Sequence, residues 1–448
     1  MSMDTAELFI NHHPEIRHVE VLVPDINGIL RGKRLPVDQL SKLYNGELMI
    51  PRATVLLDTF GGASDKIEFG FQDGDPDRPM RAIENTLVPV PWQESPAAQV
   101  FAEITDDNGL WFCNPTEVLR RCQQSFSKLG LTPVIAFELE FHLLQATAGA
   151  PEALQGTDGF PGFTGPQTYN LELLADHSAF LTELGNACEA QQITIGSALT
   201  EYGVGQFEIN LRHTDDLLHA CHEACMLRRL VRCVAIKHQS IATFMAKPIP
   251  GNSGNGMHVH ISLLDNYGNN VLASNNDGLT DIMQHAISGL LDWMPDSMAI
   301  FAPNANSYQR FDPDTFAPMQ ADWGYDHRAV AVRLPRASIE NTRIEHRIAG
   351  ADACPYLVVA SLLCAIKNGI EQRLPLPQPT AGTTVSPAAL ALPHRWCAAL
   401  ERFKHATKLQ QALGAEFCRL YHQVKADEEE VWHRQLNRFD HLQYLRTL

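Results

Sequence analysis

The chain has no run approaching the roughly 18 apolar residues of a membrane span, and its opening MSMDTAELFINHHPEIRHVEVL lacks a basic start followed by an apolar core. The expectation is a cytoplasmic protein with no membrane partner. Positive charge is also scarce: 35 basic against 52 acidic residues give a formal charge of -17, which argues against a nucleic-acid or anionic-membrane surface. An anionic substrate would need locally concentrated arginines. No GxxxxGK(S/T) or GxGxxG element stands at a strand-to-helix junction, so phosphate is not held by a P-loop or a Rossmann turn. Ten cysteines lie scattered in apolar contexts such as Cys233, Cys354 and Cys364, which reads as buried thiols and not as a disulfide framework. His219, Cys221 and Cys225 have no second ligand pair at finger spacing, and read as ordinary packing within a helix over about 215–245.

With 448 residues the chain exceeds one core of roughly 250 to 300 residues, and its texture changes once. Up to about residue 108, short strand-like runs (HVEVLV, LVPVP, QVFAEI) alternate with turn clusters (PDING, FGGASD, QDGDPD) and helical pattern is sparse, as in a small β domain. From 109 onward a larger domain is expected, with a capped helix starting at Asn114-Pro115-Thr116-Glu117 and further helices over about 171–191, 277–293, 353–371 and 396–445. The fold class is therefore α+β. The proline-rich stretch 374–390 reads as an exposed connector.

Four strand-like segments in the larger domain carry polar residues at every second position. In VIAFELEFHLL the period of two aligns Glu138, Glu140 and His142; in GQFEINL it aligns Gln206, Glu208 and Asn210, with Glu201 across a Gly203-Val204-Gly205 turn. In GNGMHVHISL it aligns His258, His260 and Ser262, and in TRIEHRIAG it aligns Arg343, Glu345 and Arg347. For any one strand, a solvated outer face is the better explanation. Solvated faces are usually rich in lysine, however, and none of these four segments has one. Five glutamates and two histidines on one concave surface would repel unless cations neutralised them, and an oxygen-rich set with imidazole suits Mg²⁺ or Mn²⁺ better than zinc. A second group, Arg310, Arg328, Arg333, Arg343 and Arg347, lies within 38 residues and suits phosphate and carboxylate through the planar guanidinium fork. Metal ligands and arginines together point to phosphoryl chemistry.

At these residues the sequence resembles a known family. FELEFH, TEYGVGQFEINL, GNGMHVHISL, NSYQRF, HRAVAVRLP and TRIEHRIAGADACPYL are similar, in order, to the signature segments of type I glutamine synthetases, and the likeness covers essentially the whole chain. The resemblance implies an N-terminal β-grasp domain (1–108), a catalytic domain (109–448) whose antiparallel sheet forms an open, barrel-like site flanked by helices, and a ring homo-oligomer, hexamer or dodecamer, with active sites between subunits. It implies that Glu140, Glu201 and Glu208 hold one metal and Glu138, His258 and Glu345 a second. Arg310 and Arg347, with the backbone around Gly254, would hold glutamate; Arg328 would stabilise the phosphoryl group in transit; His260, Ser262, Arg333 and Arg343 would face ATP. The implied reaction is phosphorylation of the glutamate γ-carboxylate by ATP, followed by displacement of phosphate by an amine.

Two departures bear on that amine. Glutamine synthetases bind ammonium with carboxylates in a flap like GYEAP and a segment like FDGSS; here Phe316 in FDPDTFAP stands at the flap position and Pro51 in IPRAT near the other. These departures, and NGILRGKRLP, resemble the γ-glutamylpolyamine synthetase branch. A diamine would want an acid such as Asp312, Asp314 or Asp322 for its far ammonium, whereas an apolar or aromatic monoamine would be content with Phe316, the reading favoured here. Asp312 and Asp314 are the nearest candidates to deprotonate the amine. Glutamine synthesis from ammonia and an inactive structural or regulatory relative are the alternatives.

Overall fold

The computed structural model describes residues 2–146, 151–154, 165–274, 278–312, 315–436, 440, 443 and 445. A helix, α1 (Ser2–His12), precedes a seven-stranded sheet of β1 (His18–Pro24), β2 (Leu30–Pro36), β3 (Met49–Pro51), β4 (Asp77–Ala82), β5 (Val88–Val90), β6 (Ala97–Asp106) and β7 (Gly109–Leu110). The strand order is β2-β1-β6-β4-β3, with β5 and β7 also on β6. β1 and β6 run parallel at the centre and the other ladders are antiparallel. α1 and β2 were not expected from the sequence. β2, LRGKRLP, is half exposed along its length, so it has no apolar alternation to betray it.

The second sheet is built from β8 (Thr132–Gln145), β9 (Ile195–Thr200), β10 (Gln206–Leu211), β11 (Ser240–Thr243) and β12 (Met257–Leu264), continued, after the short β13 (Gln320–Ala321), by β14 (Trp323–Tyr325), β15 (Val332–Leu334) and β16 (Ile344–His346). Its order is β14-β15-β16-β12-β8-β10-β9, with β11 also on β8. The inner face of every central strand is apolar: Phe137, Leu139, Phe141, Phe207, Ile209, Val259, Ile261 and Ile344 are almost wholly buried. Burying a side chain of this size stabilises by about 1.5–3 kcal/mol, which is what fixes the alternation of faces.

Helices cover that apolar side. The first, α2 (Pro115–Ser127), starts where expected, but Asn114 does not cap it; its amide instead exchanges hydrogen bonds with Ile104 and donates to Trp111 O, tying the helix entry to β6. Next come α3 (Leu171–Asp176) and α4 (Ser178–Ala190), and then α5 (Leu217–Lys237), which packs on β8 and β11. The helix expected over 215–245 thus ends early: Gln239 takes a left-handed backbone (φ 55°) and the chain turns into β11. α6 (Asp281–Phe301) runs past the expected end because Pro295 is accommodated inside it. It crosses α7 (Pro355–Gln372) so closely that a Cβ on Gly289 would lie 2.1 Å from Ala365 O. The single helix expected over 396–445 is broken at Ala406 and Gly414 into α8 (Trp396–His405), α9 (Thr407–Leu413) and α10 (Ala415–His433).

The connector at 374–390 is largely exposed, as expected, but is anchored at a few points. Trp323 Nε1 donates to Pro377 O, Thr380 Oγ1 donates to Asp322, and β17 (Leu390–Ala391) pairs with β13. α10 also reaches back to the first sheet's long loop. Lys425 is fully buried 2.9 Å from Glu428, whose carboxylate accepts from the Thr59 backbone N–H at 2.7 Å, while Lys66 pairs with Asp427 and Glu430. Cys221 and Cys225 are buried within α5, and His219 lies 3.6 Å from Glu223, consistent with packing.

Candidate active site

Strand register turns the polar alternation into a row across the sheet. Glu208 on β10 is the direct neighbour of Glu140 on β8; Glu138 on β8 is the neighbour of His258 on β12; His260 on β12 is the neighbour of Glu345 on β16; and Glu345 is the neighbour of Arg333 on β15. Like charges placed directly opposite destabilise a sheet, so the Glu140–Glu208 pair runs against the local rule. Two groups of ligand atoms result, each within 4.8 Å: Glu138, His258 and Glu345, and Glu140, Glu208 and His258. Glu201 lies outside both groups but lines the same cavity.

The electrostatics of the two groups differ. Burial pushes Glu138 up, yet a hydrogen bond with His258 (3.2 Å) and the close approach of His260 (2.7 Å) hold it below the ordinary carboxylate range. Glu345, raised by burial, is nevertheless held at about 2 by Arg347, His258 and His260, and its oxygens also accept from Arg333 and Arg347. Glu208 has no such relief: burial and the charges of Glu138, Glu140 and Glu201 push it well above the carboxylate range. Glu201 is pushed up to about 7 by burial and by Glu140. Such crowding of acids is what a divalent cation relieves, and the donor set of carboxylates and one imidazole fits a hard ion.

A cavity of about 570 Å³ holds these carboxylates together with Gly254, Arg310, Phe316, Arg328, Arg333 and Arg347. Arg310 is buried, and its guanidinium donates to Ile348 O (2.8 Å) and Arg347 O (3.1 Å). It packs against Gly254, where a Cβ would sit 2.4 Å from Ala246 O and 2.7 Å from Arg310 Cγ, so only glycine leaves the backbone free beside it. Glu140 accepts from Gly256 N at 2.6 Å and from Gln206 at 3.2 Å, which aims its other oxygen at the cavity. Arg328 is exposed, and its charge reaches Glu201.

A second cavity of about 510 Å³ shares Glu138 and Asn210 with the first and is lined by His260, Ser262 and Arg343. Arg343 Nε bonds His260 Nδ1 at 3.0 Å, and Ser262 donates to Thr342 O at 3.0 Å. Of the four residues expected to face ATP, Arg333 is the one that lines the first cavity instead. Asp312 lies 3.6 Å from the ammonium of Lys247, Asp322 is buried against Thr380, and Asp314 lies outside the described residues. Sequence reasoning passed over Lys247 and the cavity-lining Tyr169 and Tyr202; the signal available for Lys247 was a lone lysine in the apolar stretch between two polar-faced strands.

The family model described as the glutamine synthetase catalytic domain matches residues 112–444. γ-Glutamylputrescine synthetase of Escherichia coli is 39% identical over 426 residues, 94% of this chain and 90% of that protein. Glutamate–isopropylamine ligase from a Pseudomonas species is 31% identical over 448 residues, 98% of this chain and 96% of that one. γ-Glutamylethanolamide synthetase of Streptomyces coelicolor is 30% identical over 431 residues, 93% and 90% of the two chains. The solved structure of a GmaS/ADP complex overlays with a TM-score of 0.84 at 22% identity, covering 99% of this chain and 100% of that one, a likeness of fold.

Proposed function

We propose, from the premise that this chain belongs to the glutamine synthetase family, that it joins the γ-carboxylate of glutamate to a small organic amine, converting ATP to ADP and phosphate. The observation that carries this reading is one cavity that brings together five glutamates, four arginines suited to anions, and Phe316 where an ammonium-binding acid would be needed. The relatives named for amine ligation support it.

Glu138, His258 and Glu345 would hold one Mg²⁺ or Mn²⁺, and Glu140 and Glu208, with Glu201 beside them, another. Bound there, such ions neutralise the polyphosphate and polarise the transferred phosphoryl group. The chain's own residues do the rest. Arg310, Arg347 and the backbone at Gly254 hold glutamate so that its γ-carboxylate meets the γ-phosphate. Arg328 stabilises the charge on the phosphoryl group in transit, a role suited to a guanidinium donor aimed at developing charge. Arg343, His260 and Ser262 hold the nucleotide in the second cavity, with Arg333 at the boundary through Glu345. A carboxylate is a poor acylating agent; the γ-glutamyl phosphate supplies a leaving group, and the amine displaces phosphate to give the amide. Ring assembly with sites between subunits belongs to the same reading, and light scattering of the purified protein tests it.

The decisive assay incubates the protein with ATP, Mg²⁺, glutamate and either ammonium or a panel of primary amines, following phosphate release and product mass. Amine-dependent turnover with formation of γ-glutamylamides is expected. Faster turnover with ammonium than with every amine overturns the reading.

A further inference from the structure

Resting on that amine-ligase reading, we propose that the amine subsite is aromatic and not acidic: Tyr202 and Phe316 hold the carbon chain of the amine, and Lys247 is a positioning residue that ties down the loop carrying Phe316. Among the described residues, every carboxylate lining the cavity is one of the five glutamates already assigned to cations: Glu138, Glu140, Glu201, Glu208 and Glu345. No described acid that this chain itself places in the cavity is left over for a second ammonium. The same cavity presents Tyr202 at 45% and Phe316 at 57% exposure, large rings open to solvent, with the exposed Tyr169 also on its wall. Apolar surface gathered in a concave site with a few convergent polar groups is what a ligand's hydrocarbon portion covers.

Tyr202 stands on a rigid base. Its backbone N–H donates to Glu201 Oε2 at 3.1 Å, and the next residue, Gly203, is packed so tightly that a Cβ would lie 2.6 Å from Asn252 Oδ1 and 2.7 Å from Gln206 Oε1. The backbone that carries the ring is thus fixed beside the carboxylate of Glu201.

Phe316 is held through a chain of contacts that leads to Lys247. Thr315 N and Oγ1 both bond Asp312 O, at 3.0 and 2.9 Å, and Ala317 N bonds Thr315 Oγ1 at 3.4 Å, so the segment around Phe316 is folded back on Asp312. Asp312 in turn lies 3.6 Å from Lys247 Nζ. The Lys247 side chain is 9% exposed, its Nζ makes no hydrogen bond, and its backbone is locked to the Asn306 side chain by two bonds of 2.9 Å. A nearly buried ammonium without a counter-charge is strongly unfavourable, so Asp312 is committed to Lys247. The substrate class that follows is a primary amine with a chain of several methylenes. An ammonium at its far end would meet ring faces, by cation–π attraction, in place of a carboxylate.

The test is steady-state kinetics of the full chain with ATP, Mg²⁺ and glutamate, using n-alkylamines and α,ω-diamines of matched length. For the alkylamines, kcat/KM is expected to rise about three- to fourfold per added methylene until the chain outgrows the rings, the factor that burying one methylene gives. Tyr202→Ala and Phe316→Ala should each lower amine kcat/KM by about tenfold or more, with KM for glutamate and ATP within about twofold, while Tyr202→Phe, which keeps the ring, should recover most of what Tyr202→Ala loses. Lys247→Met and Asp312→Asn should raise KM for monoamines and diamines alike. If Asp312 instead received the far ammonium, Asp312→Asn would weaken diamines alone and Lys247→Met, by releasing it, would favour them; that pattern overturns the proposal, as does a diamine-selective loss in Asp314→Asn. Turnover with amines that is indifferent to Tyr202 and Phe316 defeats this inference and leaves the ligase reading standing. No turnover with any amine defeats both.

Discussion

Glu208→Gln should make the protein more stable without divalent cations and less responsive to them. Glu208 is 6% exposed, faces Glu140 across the β8/β10 ladder, and shares a 4.8 Å group of ligand atoms with Glu140 and His258. Two unit charges 4.8 Å apart at an effective dielectric constant of about 20 repel by roughly 3.5 kcal/mol. A carboxyl that retains part of its proton feels less, so about 1–3 kcal/mol is the expected gain on replacing Glu208 by its neutral isostere. With about 2–4 °C of melting temperature per kcal/mol for domains of some 200 residues, the variant should melt several degrees higher than wild type in EDTA. Cations reverse the order. An ion at 100 times its dissociation constant stabilises by about 2.7 kcal/mol. Wild type has the full set of donors to collect that gain, whereas the variant has lost one. The assay is thermal unfolding of both proteins in EDTA and in saturating Mn²⁺. A variant that melts below wild type in EDTA, or an equal Mn²⁺ shift in the two proteins, would refute the cation-site reasoning.

Gly254→Ala puts a methyl group 2.4 Å from Ala246 O and 2.7 Å from Arg310 Cγ, so it should cost about 1–3 kcal/mol of stability and raise KM for glutamate far more than KM for ATP, measurable by melting and initial rates. Lys425→Met leaves Glu428 buried without its cation and should destabilise by about 3–5 kcal/mol, most of which the double variant with Glu428→Leu recovers. His222, buried and tilted against the Phe101 ring, has its imidazole pushed down to about 3 by burial. Its folded-state value lies below the unfolded one near 6.5, so its contribution is complete above pH 6.5 and is lost as pH falls towards about 3, by about 1.4 kcal/mol per unit. His222→Phe should flatten the loss of melting temperature between pH 6.5 and 5 relative to wild type, and an unchanged slope counts against the assignment.

How much of this could be read in the sequence depends on the range of the forces involved. The polar faces of β8, β10, β12 and β16 were legible because alternation is written locally, residue by residue, and the buried partners Phe137, Ile209, Val259 and Ile344 confirm the side each face takes. Register is not local. Nothing in FELEFH or GQFEINL says that Glu140 meets Glu208 and Glu138 meets Asn210, so the grouping of Glu140 and Glu208 with His258, and the place of Glu201 outside both groups, emerged from pairing. Helix ends failed for a similar reason. β11 looked like more of α5 until pairing with β8 claimed it, and Gly414, with φ 107°, divides a segment whose composition is helical throughout. Lys247 and Tyr202 lie between elements, where no period marks them, and gain meaning only from what the fold carries up to them.

The row of paired side chains from Glu208 to Arg333 has one more consequence. It is distributed over five strands, so shifting any one of them by a single residue would turn its polar set into the core and its apolar set into the cavity. On the proposed function, a sheet out of register would lack the cation-binding row, and could not squander nucleotide on glutamate it fails to join to an amine. On that reading reactivity is a readout of correct folding, so that only a finished molecule is armed.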